Sequence, residues 1–102
     1  MKIYNKLIRD RIPEVIQASG KTCELRTLDA EAFLAELARK LREELVEYEE
    51  SGDLAELADM MEIIHAIART KGSLEALEEI RLEKLQSRGG FEKRLFLIGV
   101  ED

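Results

Sequence analysis

The chain has 102 residues, of which 37% are charged and 5% aromatic, with one proline and no tryptophan. This length allows one domain, and the composition favours helices over a β-sandwich. The 22 acidic and 16 basic residues give a net charge of −6, which argues against a general nucleic-acid binder.

The sequence predicts a cytoplasmic protein. Cys23 is the only cysteine, so no disulfide can form within the chain, and we interpret this residue as structural. The first residues lack the apolar run of a signal peptide, and no stretch is long and apolar enough to span a membrane. We therefore expect no membrane partner.

The N-terminal third predicts an arm and a short helix. Residues 1–9 mix apolar and basic groups, which is typical of an extended arm. Asp10 is a candidate N-cap, and Pro13 would lie in the first turn of a helix from Arg11 to Ser19. Residues 22–28 alternate loosely, which predicts either a strand or a linker.

A long helix is predicted from Ala30 to Glu50, with Asp29 as its N-cap. On a helical wheel of about 100° per residue, Glu44 lies inside an apolar arc and Glu47 lies on its shoulder, whereas Glu43 lies on the solvated side. The apolar arc comprises Phe33, Leu34, Leu37, Ala38, Leu41, Leu45 and Tyr48.

The next helix is predicted from Asp53 to about Lys71 and is apolar around most of its circumference. Such a helix must be covered on several sides. One hairpin and one further helix cannot easily cover it, so we expect a homo-oligomer, with a dimer preferred. Glu56 and Asp59 project among isoleucines on this helix, where a lone carboxylate would be costly to bury.

A last helix is predicted from Leu74 to Arg88, capped by Ser73 and ended by a pair of glycines. Residues 91–100 are apolar-rich and predict a short strand or a packing arm. The expected fold is all-α, in a single domain spanning residues 1–102. A helical hairpin would form its core, and oligomerisation would complete a four-helix-type bundle.

Four carboxylates occupy mirror-related positions around the turn at Ser51-Gly52. Glu44 and Glu47 precede the turn, and Glu56 and Asp59 follow it. In an antiparallel hairpin Glu44 would lie level with Asp59, and Glu47 level with Glu56. Converging carboxylates repel one another unless a cation joins them, and oxygen ligands suit Mg²⁺, with Mn²⁺ as the alternative. The competing interpretation is a chance pattern of solvated acids among the 22 in the chain.

Basic residues form two clusters, Arg81, Lys84 and Arg88 on the last helix and Lys6, Arg9 and Arg11 near the N-terminus. Each cluster has two interpretations. It is either a solvated face that pairs with nearby acids, such as Glu78 with Arg81, or a phosphate-binding surface opposite a metal ion.

A single Glu62-x-x-His65 motif has the spacing that di-iron helix bundles use twice. Glu62 is predicted to point outward, so a surface or helix-edge histidine is the preferred interpretation. A homodimer would supply the second copy of the motif, which keeps the di-iron alternative open.

The motif Glu43-Glu44-x-x-Glu47 followed by Glu56-x-x-Asp59 resembles the EExxE…ExxD signature of the all-α nucleoside triphosphate pyrophosphohydrolases, the MazG-like superfamily. Residues 4–13 resemble the start of a compact branch labelled phosphoribosyl-ATP pyrophosphohydrolase-like. Residues 88–91, with the sequence RGGF, resemble its ending. The similarity therefore covers nearly the whole chain.

The resemblance implies helices that pair between chains and Mg²⁺-dependent hydrolysis of a nucleoside triphosphate to the monophosphate and pyrophosphate. House-cleaning of non-standard nucleotides is one such role. By motif position, the metal ligands would be Glu44, Glu47, Glu56 and Asp59.

Our mechanistic hypothesis makes Glu47 and Glu44 catalytic, with Glu47 positioning the attacking water or taking its proton. The leaving pyrophosphate would be held by Lys84, Arg88, Lys6 and Arg9. Two alternatives from other classes are a non-catalytic helical dimer that binds a nucleotide or a protein, and a purely structural helical dimer.

Overall fold

The computed structural model describes residues 1–102, and all of its regular structure is helical. Helix α1 spans Ile12–Ala18, α2 spans Ala30–Ser51, α3 spans Leu54–Lys71 and α4 spans Leu74–Arg88. The predicted all-α class is therefore confirmed. No strand forms at residues 22–28 or 91–100, so the strand alternative was wrong for both segments. None of the four helices is both long and apolar enough to cross a membrane.

The boundaries of α2 and α4 follow from local capping chemistry. The Asp29 carboxylate accepts a hydrogen bond from the Ala32 N–H at 2.8 Å, and the Ser73 hydroxyl accepts one from the Ala76 N–H at 3.0 Å. Each bond satisfies an N–H group that the first turn of a helix leaves free. Both predicted N-caps are confirmed.

The predicted start of α1 was wrong in detail, whereas the predicted start of α3 agrees with the structure to within one residue. Helix α1 begins at Ile12, and Asp10 does not cap it. The Ile12 N–H donates instead to the Arg9 carbonyl at 3.1 Å, so a backbone turn opens this helix. Asp53 stands at the N-cap position of α3 without a side-chain cap bond, and its own N–H donates to the Ser51 hydroxyl at 3.1 Å.

Helices α2 and α3 form a hairpin, which is the core of the chain. Gly52 turns the chain by adopting a left-handed conformation (φ 68°), and its N–H donates to the Tyr48 carbonyl at 2.7 Å. This conformation favours glycine because a Cβ atom is strained there. Leu37 of α2 and Ile63 of α3 are the only buried residues, and each keeps a small exposed fraction. Helix α4 has a smaller contact with α3, and α1 packs against none of the other helices.

The single chain exposes much more surface than a compact domain. Its accessible area is 9510 Å², whereas a compact monomer of this mass exposes roughly 5,900 Å². Its radius of gyration is 18.3 Å, against about 13 Å for a compact domain of this length. Much of the excess is apolar, because all three long helices expose aliphatic side chains: Leu45 and Val46 on α2, Met61 and Ile64 on α3, and Ile80, Leu82 and Leu85 on α4.

Candidate metal centre

Three of the four predicted carboxylates converge between α2 and α3. Glu44 of α2 and Glu56 and Asp59 of α3 each have a side-chain oxygen within 4.8 Å of the others. All three residues are half-buried. The hairpin produces this arrangement because Glu44 on α2 faces Glu56 and Asp59 on α3. These two acids are three residues apart and therefore share one face of their helix. The convergence predicted from the mirror-related spacing is therefore observed for three of the four carboxylates, and their role as metal ligands stays a prediction.

Glu44 is the inner member of this acidic cluster. Its Oε2 atom is closed to solvent and has no hydrogen-bond partner. The pKa of Glu44 is raised from 4.5 to about 7, first by burial and then by the neighbouring carboxyl groups of Glu56 and Glu47. The negative charges of Glu47 and Asp59 raise it further. A buried carboxylate oxygen without a partner is costly, so this position favours either a proton or a cation.

Glu56 and Glu47 extend the cluster toward solvent. Burial is the main cause that raises the pKa of Glu56, and the neighbouring carboxylates of Glu47 and Asp59 act in the same direction. The neighbouring Glu44 carboxyl group opposes the rise. The Glu47 side chain is exposed and lies outside the close group of three oxygens, yet it acts on both Glu44 and Glu56. Glu47 therefore sits at the open edge of the cluster.

The N-terminal arm supplies a cation to this cluster. Arg9 Nη2 donates to Asp59 Oδ1 at 2.7 Å. We predicted Arg9 as a phosphate-binding residue and did not foresee this pairing with a predicted metal ligand. The two residues are 50 positions apart, so no local spacing in the sequence could signal their contact.

The other predicted phosphate-binding residues lie apart from the cluster within one chain. Lys84 and Arg88 are exposed on α4, and neither has a carboxylate within ion-pairing distance. Lys6 lies 5.4 Å from the centre of the Tyr4 ring. Arg81 instead pairs with Glu78, with 2.9 Å between Nε and Oε2. This pair is the local alternative that the spacing predicted, and it lowers the pKa of Glu78.

The di-iron alternative gains no support from the geometry. Glu62 is exposed and points to Arg69, with 3.8 Å between the charged atoms. His65 is half-buried on α3 and belongs to no group of three metal-ligating side chains. The preferred interpretation of His65 as a helix-edge residue agrees with this position.

The cluster has the donor chemistry of a site for a hard divalent cation. Its atoms are carboxylate oxygens only, and they repel one another without a cation. Glu44 offers an oxygen that nothing else in the chain satisfies. Mg²⁺ and Mn²⁺ prefer such oxygens and keep several water ligands, which suits a cluster that is open on the Glu47 side.

Comparison with known proteins identifies one partial relative. A segment of 42 residues, 41% of the chain, is 52% identical to a protein of Mycolicibacterium smegmatis named only as uncharacterized. The match spans 43% of that protein. No protein-family model matches the chain, and no solved structure does. Membership of the MazG-like superfamily therefore stays a prediction from the motifs.

Proposed function

We propose that this protein is a Mg²⁺-dependent nucleoside triphosphate pyrophosphohydrolase. The observation that supports the proposal most strongly is the convergence of Glu44, Glu56 and Asp59 within 4.8 Å, with the unpartnered Glu44 oxygen at its inner end. Acidic residues that share a helix face by chance rarely have a carboxylate oxygen that is closed to solvent and without a hydrogen-bond partner. The same residues fall on the ExxE…ExxD pattern of the family that the sequence resembles.

In this proposal Glu44, Glu56 and Asp59 hold the divalent ion, and Glu47 completes the set from the open edge. The ion, when bound, neutralises phosphate charge and lowers the pKa of nearby water. Glu47 is the exposed carboxylate beside these ligands, so it orients the attacking water and accepts its proton. The water oxygen bonds to the α-phosphorus, the bond from that phosphorus to the bridging oxygen breaks, and pyrophosphate leaves.

We further propose that the active form is a homodimer. The single chain exposes 9510 Å², about 3,600 Å² more than a compact monomer of its mass. Obligate dimer interfaces bury about 2,000–5,000 Å² in total over both chains, so the excess is large enough for one. The apolar side chains of α3 and α4 would be covered in this way. Lys84 and Arg88 would then face the acidic cluster of a second copy rather than their own.

The test is pyrophosphate release from a panel of nucleoside triphosphates, including modified bases and phosphoribosyl-ATP, with and without Mg²⁺. We expect release only with Mg²⁺, and loss of release in Glu44→Gln. Glu50→Gln is the matched control, because Glu50 is an exposed acid on α2 outside the motif. Sedimentation of the wild-type chain tests the dimer, and a monomer at all concentrations would contradict it.

The panel also separates the proposal from its alternatives. Retained binding of nucleotide and Mg²⁺ without any turnover would replace it with the non-catalytic binding module. Absence of both binding and turnover would leave only a structural helical dimer.

A further inference from the structure

The N-terminal segment is attached to the helical hairpin by a single hydrogen bond. The bond from Arg9 to Asp59 is the only one that joins residues 1–28 to α2, α3 or α4. Helix α1 packs against no other helix, and the segment's other ion pair is local, between Arg11 and Glu14. Arg9 therefore supplies the only hydrogen bond and the only ion pair that join this segment to the acidic cluster.

Arg9 is also the only basic residue paired with this cluster. Glu44, Glu47 and Glu56 have no lysine, arginine or histidine within ion-pairing distance. The Arg9 side chain is 57% exposed and the Asp59 side chain 41% exposed. An exposed pair of this kind is weak, so a competing divalent cation can replace it at little cost.

Resting on the proposed function, we propose that Arg9 is an exchangeable counter-ion of the metal centre. Without a divalent ion it neutralises part of the cluster through Asp59. When the ion takes Asp59, Arg9 is released beside the site and binds the phosphate chain of the nucleotide. A guanidinium suits both partners, because its fork of N–H donors matches carboxylate and phosphate oxygens.

This exchange has a signature that a purely structural role lacks. Arg9→Gln removes a competitor for Asp59, so Mn²⁺ should bind about two- to fivefold more tightly in the absence of nucleotide, as expected from the small worth of an exposed pair. The same change removes a charged phosphate donor, so pyrophosphate should bind about tenfold or more weakly with saturating Mg²⁺. The two affinities thus move in opposite directions.

The experiment measures free Mn²⁺ by electron paramagnetic resonance during titration of the full chain, and then pyrophosphate binding with saturating Mg²⁺ by equilibrium dialysis. Arg11→Gln is the matched control, because Arg11 lies in the same segment and pairs only with Glu14. It should change neither affinity. Arg9→Lys keeps the charge and should restore part of the pyrophosphate affinity. Circular dichroism of each variant checks that its helices are intact.

The outcomes distinguish this proposal from the proposed function. If the wild-type chain binds no Mn²⁺, the metal centre fails and the counter-ion proposal falls with it. If the wild type binds Mn²⁺ and Arg9→Gln leaves both affinities unchanged, or weakens both, only the exchange is overturned. Tighter Mn²⁺ binding together with weaker pyrophosphate binding supports it.

Discussion

Neutralising Glu44 should stabilise the protein in the absence of divalent ions. The folded state raises the pKa of this carboxyl from 4.5 to about 7, mainly through burial. A carboxyl whose pKa is raised by folding contributes stability below its unfolded pKa and loses it as the pH rises through the folded value. The wild-type chain should therefore lose stability between pH 4.5 and about 7.

The size of this loss follows from the pKa values. A tenfold change in proton affinity is worth about 1.4 kcal/mol, so full ionisation of Glu44 costs the folded state on the order of 3 kcal/mol. Solvent at the open edge of the cluster reduces this cost. Glu44→Gln resembles the protonated form at every pH, and we expect it to raise the free energy of unfolding by about 1–3 kcal/mol at about pH 8.

The assay is urea unfolding followed by far-UV circular dichroism, at about pH 5 and about pH 8, with a chelator or with Mg²⁺. Protein concentration is held fixed because association affects apparent stability. The gain in Glu44→Gln should fall to less than about 1 kcal/mol near pH 5. Mg²⁺ should stabilise the wild type more than the variant, because the variant has lost a ligand. Glu50→Gln serves as the control and should follow the wild type.

Two results would refute this reasoning. If Glu44→Gln were less stable than the wild type at about pH 8 without divalent ions, the buried carboxylate would not be destabilising. If Mg²⁺ stabilised both proteins equally, Glu44 would not be a ligand.

Three further predictions concern the turn, the core and the open edge of the cluster. Gly52→Ala should lower the free energy of unfolding by about 1 kcal/mol or more, because φ is 68° at this position. The control Gly99→Ala, in open space, should leave the stability unchanged. Equal urea midpoints for Gly52→Ala and the wild type would contradict the argument. Leu37→Ala should lower the free energy of unfolding by about 2–5 kcal/mol, because Leu37 is only 4% exposed. A loss below about 1 kcal/mol in urea unfolding would show that packing at Leu37 does not hold α2 and α3 together. Glu47→Gln should lower kcat by about a hundredfold or more with a smaller change in KM, whereas Glu50→Gln should leave both unchanged. Equal kcat values for Glu47→Gln and the wild type in a pyrophosphate-release assay would remove Glu47 from the mechanism.

The sequence predicted the helices well where the signal is local. The side chains of Asp29 and Ser73 cap α2 and α4 as expected, and Gly52 ends α2. The start of α1 was misplaced because a backbone hydrogen bond to the Arg9 carbonyl opens this helix. Such a bond does not depend on the side chain, so the residue types do not indicate it. Alternation at residues 22–28 was too weak a signal to specify a strand, since a strand also needs a partner.

The candidate site was predictable in part for a geometric reason. A two-residue turn fixes the register of α2 against α3, so the spacing of Glu44 and Asp59 around it determines that they meet. The contact between Arg9 and Asp59 depends on the path of the whole N-terminal segment, which no periodicity encodes. In the proposed dimer, the positions of Lys84 and Arg88 relative to the cluster would depend on contacts between chains, which no local pattern in the sequence specifies.

The central claim is hydrolysis at the α-phosphorus by this acidic cluster, and isotope labelling tests it most directly. The purified chain would turn over its best nucleoside triphosphate with Mg²⁺ in water labelled with heavy oxygen, and mass spectrometry would locate the label. We predict label in the nucleoside monophosphate, unlabelled pyrophosphate, and no reaction in Glu44→Gln. Label in released pyrophosphate or inorganic phosphate, or undiminished turnover by Glu44→Gln, would contradict the account.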